Sequence, residues 1–461
     1  MRDRLLLCGA ALAAFGASLG SGFHFDDYGI FSDALLTVPG GWETLASVTR
    51  PRPLTDLTYW LNFVVGGRDP FGYHAVNLIL HLAAVWLAFE CARRLLPERA
   101  ALLAAALFAV HPLQAEAVNY VWARGMLLGT ALCLAALLAW LQGKPWAAVI
   151  VYAAAVLAQP ECAALPLALL FVDRKPKVPL AIMFGVSAAA FGRALAAAVV
   201  PMGSYVLAEG VAITRYLRLL AVPYGFTIDP DVRAPALWMG VLVWTALLGL
   251  TYLAWRQRWL WVLAGLILLM ASSVLFPSPD LSADRRMYLP MLAFTGAAAL
   301  ALERVQPTVW KPAAFSVAVV LVALSVSRDL VWMNDPSLWR EAVRRSPGKV
   351  RPRIQLARSL PAGQALEVLS AARQAAPQDP ELAAETGRVL LAEGQADAAI
   401  DEFTRALSVN PRDALSLNNR GVAFEMLGRT PAARADFERA LEIDPGLTQA
   451  RENLARLTGE R

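Results

Sequence analysis

Charge is scarce in this chain: Asp, Glu, Lys and Arg make up 17% of its 461 residues, against 57% hydrophobic residues. Soluble domains carry about a quarter charged residues, so much of this surface needs a non-aqueous solvent. Cysteine is scarcer still. Cys8, Cys91, Cys133 and Cys162 all sit inside apolar runs in no metal-ligand spacing, which leaves them as small buried hydrophobes and indicates no disulfide framework. Neither a nucleotide-binding loop nor a zinc motif is present, which argues against an ATP-driven pump. The net charge of +5 is small and scattered, which argues against nucleic acid as a partner.

What the chain has in abundance is apolar runs. A bilayer crossing needs about 20 apolar residues, and eleven candidate runs follow one another at 5–23, 74–96, 99–120, 123–142, 145–158, 161–173, 179–200, 235–255, 259–277, 289–305 and 311–331. The basic start and apolar stretch at the N-terminus are read as an uncleaved first span rather than a signal peptide. Arg2/Arg4, Arg93/Arg94/Arg99, Lys144, Arg174/Lys175/Lys177, Arg256/Arg258 and Arg304/Lys311 flank the runs on one side, which the positive-inside rule makes cytoplasmic. Residues 24–73, 201–234, 278–288 and everything after about 332 then lie outside. This parity requires 145–173 to cross twice, in two short pieces that meet at Gln159-Pro160-Glu161.

Near Trp339 to Pro347 the composition turns polar and periodic. Pro377, Pro411 and Pro445 recur every 34 residues, as do Gly387/Gly421, Gly394/Gly428, Ala399/Ala433, Phe403/Phe437 and Ala406/Ala440. Small residues where paired helices touch, with proline at the repeat end, predict tetratricopeptide (TPR) repeats. The expected organisation is all-α: a polytopic helical membrane domain at 1–335, then an α-solenoid at 336–461. The solenoid holds about three repeats, the first degenerate, with a capping helix over Thr448–Leu457.

Chemistry gathers in three outward segments. The first, Phe23-His24-Phe25-Asp26-Asp27-Tyr28, puts two carboxylates at the bilayer surface, where one can act as base and its neighbour can orient it. The second, His111 to Tyr120, carries Glu116, with Arg124 following; ionisable groups at membrane depth are costly and usually face a cavity, and a Glu116–Arg124 ion pair is the structural alternative. The third is a set of arginines, Arg215, Arg218, Arg285 and Arg286. Guanidinium forks suit phosphate, and lipid head groups compete as their partner.

Taken in order, these segments resemble the transmembrane-and-TPR O-mannosyltransferase (TMTC) family and its bacterial relatives, within the C-type glycosyltransferase (GT-C) superfamily. The resemblance rests on Phe25-Asp26-Asp27, Arg52-Pro53-Leu54, Asp69 to Leu78, His111 to Val118 with Arg124, Tyr216 to Leu220, Pro223-Tyr224-Gly225, Ala283 to Pro290 and Ser337-Leu338-Trp339. One departure is visible: Gln159-Pro160-Glu161 stands where relatives often carry Ser-Lys-Glu. The resemblance implies sugar transfer, mannose-like, from a polyprenyl-phosphate donor to a hydroxyl of a protein or glycan on the outer face, with inversion. Asp27 with Asp26 orienting it, or the reverse, would be the base. Arg215, Arg218, Arg285 and Arg286 would hold the donor phosphate. His111, Glu116, Arg124, Arg52, Glu161, Asp284 and Tyr288 would shape the acceptor or sugar side. No cofactor is called for by a motif, although a divalent metal such as Mg²⁺ or Mn²⁺ serves some members of the wider fold. The repeats would offer a concave face to a polypeptide or partner protein. The Ala-, Leu- and Arg-rich composition points to a bacterial inner membrane, with the repeats periplasmic. A decayed membrane scaffold and a lipid-linked polysaccharide ligase are the competing readings.

Overall fold

In a computed structural model, the structure describes residues 1–38, 40–45, 50–172, 176–196, 201–278, 280–303 and 307–459. Among them every regular element is helical, and the chain divides into two compact units, Met1–Ser337 and Leu338–Arg461. Of the basic residues that set the expected orientation, Arg174, Lys175 and Arg304 lie outside the described residues.

In the first unit each expected run falls on a helix. Six are long and apolar enough to cross a bilayer: Arg2–Gly20, Pro70–Leu95, Val121–Leu141, Lys177–Ala196, Leu237–Arg256 and Pro312–Val331. They make this a multi-pass membrane protein. A seventh crossing is formed if Glu98–Val110 and Pro112–Asn119, bent by 49°, count as one span. Pro145–Ala158, Pro160–Leu169, Leu260–Val274 and Met291–Leu302 are shorter apolar helices. At about 1.5 Å per residue they fall short of a hydrocarbon core about 30 Å thick. Eleven apolar runs are therefore present, but among the described residues not all of them form full-length crossings.

The bend has a local cause. His111 leaves the helix with extended dihedrals, φ −75° and ψ 131°, as a residue before proline must. Pro112 then opens a 3-10 turn, and the five-residue helix Ala115–Asn119 follows. Tyr120 is extended again, and a second turn leads into Arg124–Leu141. That helix packs closely on Pro145–Ala158 because Gly125 and Gly129 present no side chain. A Cβ on Gly125 would collide with the Gln159 side-chain oxygen, and one on Gly129 would stand 2.7 Å from Cys162 Sγ. This approach sets Gln159 and Glu161 beside the start of Arg124–Leu141.

One element goes beyond the expected outer connection at 201–234. Met202–Ala221 is a 20-residue helix that buries Tyr205, Ala208, Glu209, Ala212, Ile213, Tyr216 and Leu219. Their spacing of three and four residues is that of an amphipathic helix. Glu209, Arg215 and Arg218 interrupt its hydropathy, so it does not read as an apolar run.

In the second unit Pro380–Ala392 pairs with Ala396–Val409, and Ala414–Met426 with Thr430–Ile443. Phe403 and Phe437 are fully buried, their rings resting on Gly387 and Gly421. The degenerate repeat comprises the eight-residue helix Arg351–Arg358 and Ala362–Ala375, and Thr448–Thr458 caps the array.

Candidate active site

The segment after the first helix forms a single 3-10 turn, Phe25–Tyr28, entered through Phe25 at φ +43°. A bulky residue in the left-handed region is an outlier that its surroundings must hold in place. The holding group is Asp27. It is fully buried; Oδ2 accepts the His24 N–H at 2.9 Å, and Oδ1 accepts the Trp122 N–H at 2.7 Å. Burial raises its pKa to about 7, against the lowering effect of those two N–H groups and of His24. Asp26 is half-buried instead. Its Oδ2 accepts the Tyr120 hydroxyl at 2.7 Å, while its own N–H donates to the same hydroxyl at 3.3 Å.

Tyr120 links this turn to the arginines, because the Arg285 guanidinium lies 5.7 Å from its ring centroid. Arg285 donates to Glu116 Oε1 at 2.5 Å, and the other oxygen of Glu116 accepts the Asp284 N–H at 2.8 Å. Glu116 thus ties the bent segment to the Asp284–Met287 turn. The pairing with Arg124 that the sequence left open is absent. Arg124 is buried elsewhere, donating to Asn77 Oδ1 at 2.9 Å, Asn62 Oδ1 at 2.6 Å and the Tyr73 carbonyl at 3.0 Å. Arg286 donates to the buried Glu209 at 2.7 Å, and Arg215 to Asp284.

Beside these groups lies a cavity of about 650 Å³ lined by five arginines, Arg50, Arg52, Arg193, Arg285 and Arg286, with Trp122, Gln159 and Glu161. Arg50 is neutralised by Asp33 at 2.5 Å and Asp56 at 2.8 Å. Arg52 stacks on Trp122, 4.7 Å from the ring centroid, and donates to its carbonyl at 3.3 Å. Among the described residues it meets no carboxylate. Glu161 accepts from the Gln159 amide at 2.5 Å.

Of the residues singled out from sequence, Arg52, Glu161, Arg285 and Arg286 line the cavity. Glu116 and Asp284 brace Arg285 and its turn, and Asp26 is reached through Tyr120. The rest lie elsewhere. Arg215 is held by Asp284 outside the lining, and Arg218 is exposed and donates to the Tyr224 carbonyl at 3.3 Å. His111 spends both ring nitrogens on backbone, at Leu220 O and Leu113 N, and borders a separate apolar cavity with Leu107 and Phe294. The Tyr288 hydroxyl bonds His81 Nδ1 at 2.7 Å inside the core. Sequence reasoning missed Arg50, Arg193, Tyr120 and Trp122. Arg193 carried a usable signal, as a lone arginine inside the apolar run 179–200. A metal is poorly served: no three His, Cys, Asp or Glu side chains converge among the described residues, and both oxygens of Asp27 already accept N–H groups.

A tetratricopeptide-repeat family model matches residues 385–448. Over 91 residues, 20% of this chain, the sequence is 52% identical to protein O-mannosyl-transferase Tmtc1 of Drosophila melanogaster, of which the match spans 10%. Over 158 residues, 31% of the chain, it is 32% identical to human protein O-mannosyl-transferase TMTC3, covering 17% of that protein. Drosophila Tmtc2 is 36% identical over 160 residues, 31% of this chain and 17% of its own length. The chain therefore matches less than a fifth of each of these relatives. Among solved structures, ArnT from Cupriavidus metallidurans bound to undecaprenyl phosphate is similar over 94% of this chain and 79% of its own, at a TM-score of 0.39 and 15% identity, too loose a likeness to argue from. The curated relatives and the repeat match bear out the resemblance to the TMTC family.

Proposed function

We propose that this relative of the TMTC proteins is a membrane glycosyltransferase of GT-C type that moves a mannose-like sugar from a polyprenyl-phosphate donor to a hydroxyl of a protein or glycan on the outer face. One observation carries the reading: a cavity lined by five arginines is joined, through Arg285 and Tyr120, to the half-buried carboxylate of Asp26. A polyprenyl chain dissolves in the bilayer, which brings its anionic head to such a cavity. The acceptor oxygen bonds the anomeric carbon as the bond from that carbon to the phosphate oxygen breaks. The electron pair leaves with the phosphate, and the hydroxyl proton passes to Asp26. One displacement inverts the configuration.

The leaving phosphate needs charge more than a proton, and Arg52 is placed to supply it, because no carboxylate among the described residues claims it. Arg285 and Arg286 add to the field while their carboxylate partners hold them in position. Asp27 is the bracket of the turn rather than the base. The repeats would then stand on the same outer side, periplasmic in a bacterium, and present a concave face to a polypeptide.

The test is transfer of radiolabelled sugar from synthetic polyprenyl-phosphate donors to envelope extract. Asp26→Asn should lower the rate about a hundredfold or more while the protein stays folded. Asp27→Asn should cost folded protein, because an amide N–H then faces a backbone N–H. A wild type silent with every donor would favour the scaffold reading, and turnover only with diphosphate-linked lipids would favour the ligase.

A further inference from the structure

The turn that carries Asp26 does not stand alone. His24, two residues before it, is fully buried, yet its ring reaches a segment more than 300 residues away in the chain. Nδ1 lies 2.6 Å from Asp335 Oδ1, and Nε2 lies 2.6 Å from the Trp332 carbonyl oxygen. Both partners are acceptors, so a ring nitrogen donates wherever one of these bonds is made. The docking continues on either side. The Gly22 N–H donates to the Met333 carbonyl at 3.4 Å, and the Trp332 indole lies 5.7 Å from the Tyr120 ring. Tyr120 is the residue whose hydroxyl holds Asp26. The segment Trp332–Asp335 therefore grips Asp26 twice, through its chain neighbour and through its hydrogen-bond partner.

We propose that His24 and Asp335 are a positioning pair for the reaction, fixing the turn so that the Asp26 carboxylate stays on the Tyr120 hydroxyl, whose ring the Arg285 guanidinium approaches. Neither residue touches the reacting atoms. The inference rests on Asp26 being the base. It also explains how Phe25 keeps φ +43°, since the turn is pinned at His24 on one side and by Asp27 on the other. The titratable groups around the ring are Asp335, Asp27 and His74, the last on the neighbouring helix Pro70–Leu95.

The experiment uses the full chain in detergent with Asp335→Ala, Asp335→Asn and His24→Gln. Amide hydrogen exchange over residues 23–28 and steady-state transfer are measured on the same preparations. Asp335→Ala should raise exchange in that segment and lower kcat about ten- to a hundredfold at an unchanged donor KM. Asp335→Asn, which keeps an acceptor for Nδ1, should recover much of the rate and guards against misfolding of the alanine variant. His24→Gln should raise exchange over the same residues, because it loses one of the two ring contacts to Trp332 and Asp335. Unchanged exchange in Asp335→Ala overturns the proposal, as does raised exchange with kcat intact. If no donor gives turnover in wild type, the reading of Asp26 fails with it, and the exchange result still decides whether the pair holds the turn.

Discussion

In the unit Met1–Ser337, Arg286 is buried and donates to Glu209, 77 residues away, whereas in Leu338–Arg461 Arg429 meets Asp397 with both side chains more than half exposed. Other pairs follow the same division. Arg285 reaches Glu116 across 169 positions, while the exposed Arg434 meets Glu438 only 4 positions on. Water solvates an exposed guanidinium whether or not a carboxylate is near, so a surface pair is worth little. Among packed helices water is excluded, so the charge needs a carboxylate, as at Arg286, or a set of neutral acceptors, as at Arg124. The arginines of the membrane unit are thus part of its tertiary structure, while most of those on the repeats decorate a fold held by Phe403, Phe437 and the small residues beneath them.

The sharpest way to break this comparison is to remove one partner in each unit. Glu209→Ala leaves Arg286 buried and unpaired, and should destabilise the membrane unit by about 3–5 kcal/mol. Thermal exposure of the buried thiols Cys91, Cys133 and Cys162 to a labelling reagent would read the loss. A middle case is Arg52, an arginine that meets no carboxylate among the described residues. Arg52→Ala should raise the donor KM roughly tenfold with a smaller change in stability, because the partner proposed for it is the donor phosphate.

Asp27 is the acidic counterpart. Its folded pKa of about 7 lies above the unfolded 3.8, so the folded state holds the proton more tightly. Its contribution to stability is full below the unfolded value and is lost as pH rises through about 7. Melting temperature should therefore fall over that window in wild type, and the fall should flatten in Asp27→Asn, whatever that variant's overall loss. The smallest effect is expected at Asp397→Ala, within about 0.5 kcal/mol by urea titration of the repeat unit. A large loss there would erase the distinction between the units.

The same contrast explains what could be read from sequence. The repeats were legible to the residue, because a 34-residue period records contacts between neighbours in the chain. The apolar runs were legible because bilayer thickness acts on each segment separately. Met202–Ala221 escaped because its buried face carries Glu209, so its place depends on Arg286 rather than on hydropathy. Glu116 was recognised as a residue with a cavity or a partner, but the partner proved to be Arg285 and not the nearby Arg124. Arg218 and His111 belong to the family motifs and yet lie away from the arginine cavity, since a motif records sequence order and not direction.

The sequence by itself determined the number of apolar runs, the repeat period and the short list of ionisable residues, because composition and period are properties of local chain. Only the tertiary structure gives Asp26 and Asp27 different surroundings. The two are chemically identical neighbours, and what separates them is a 3-10 turn that points one at backbone N–H groups in the interior and the other at Tyr120. That turn is held by His24, Trp122, Trp332 and Asp335, residues scattered over the length of the membrane unit. Side-chain direction is set by long-range contact, which no local reading of the chain contains.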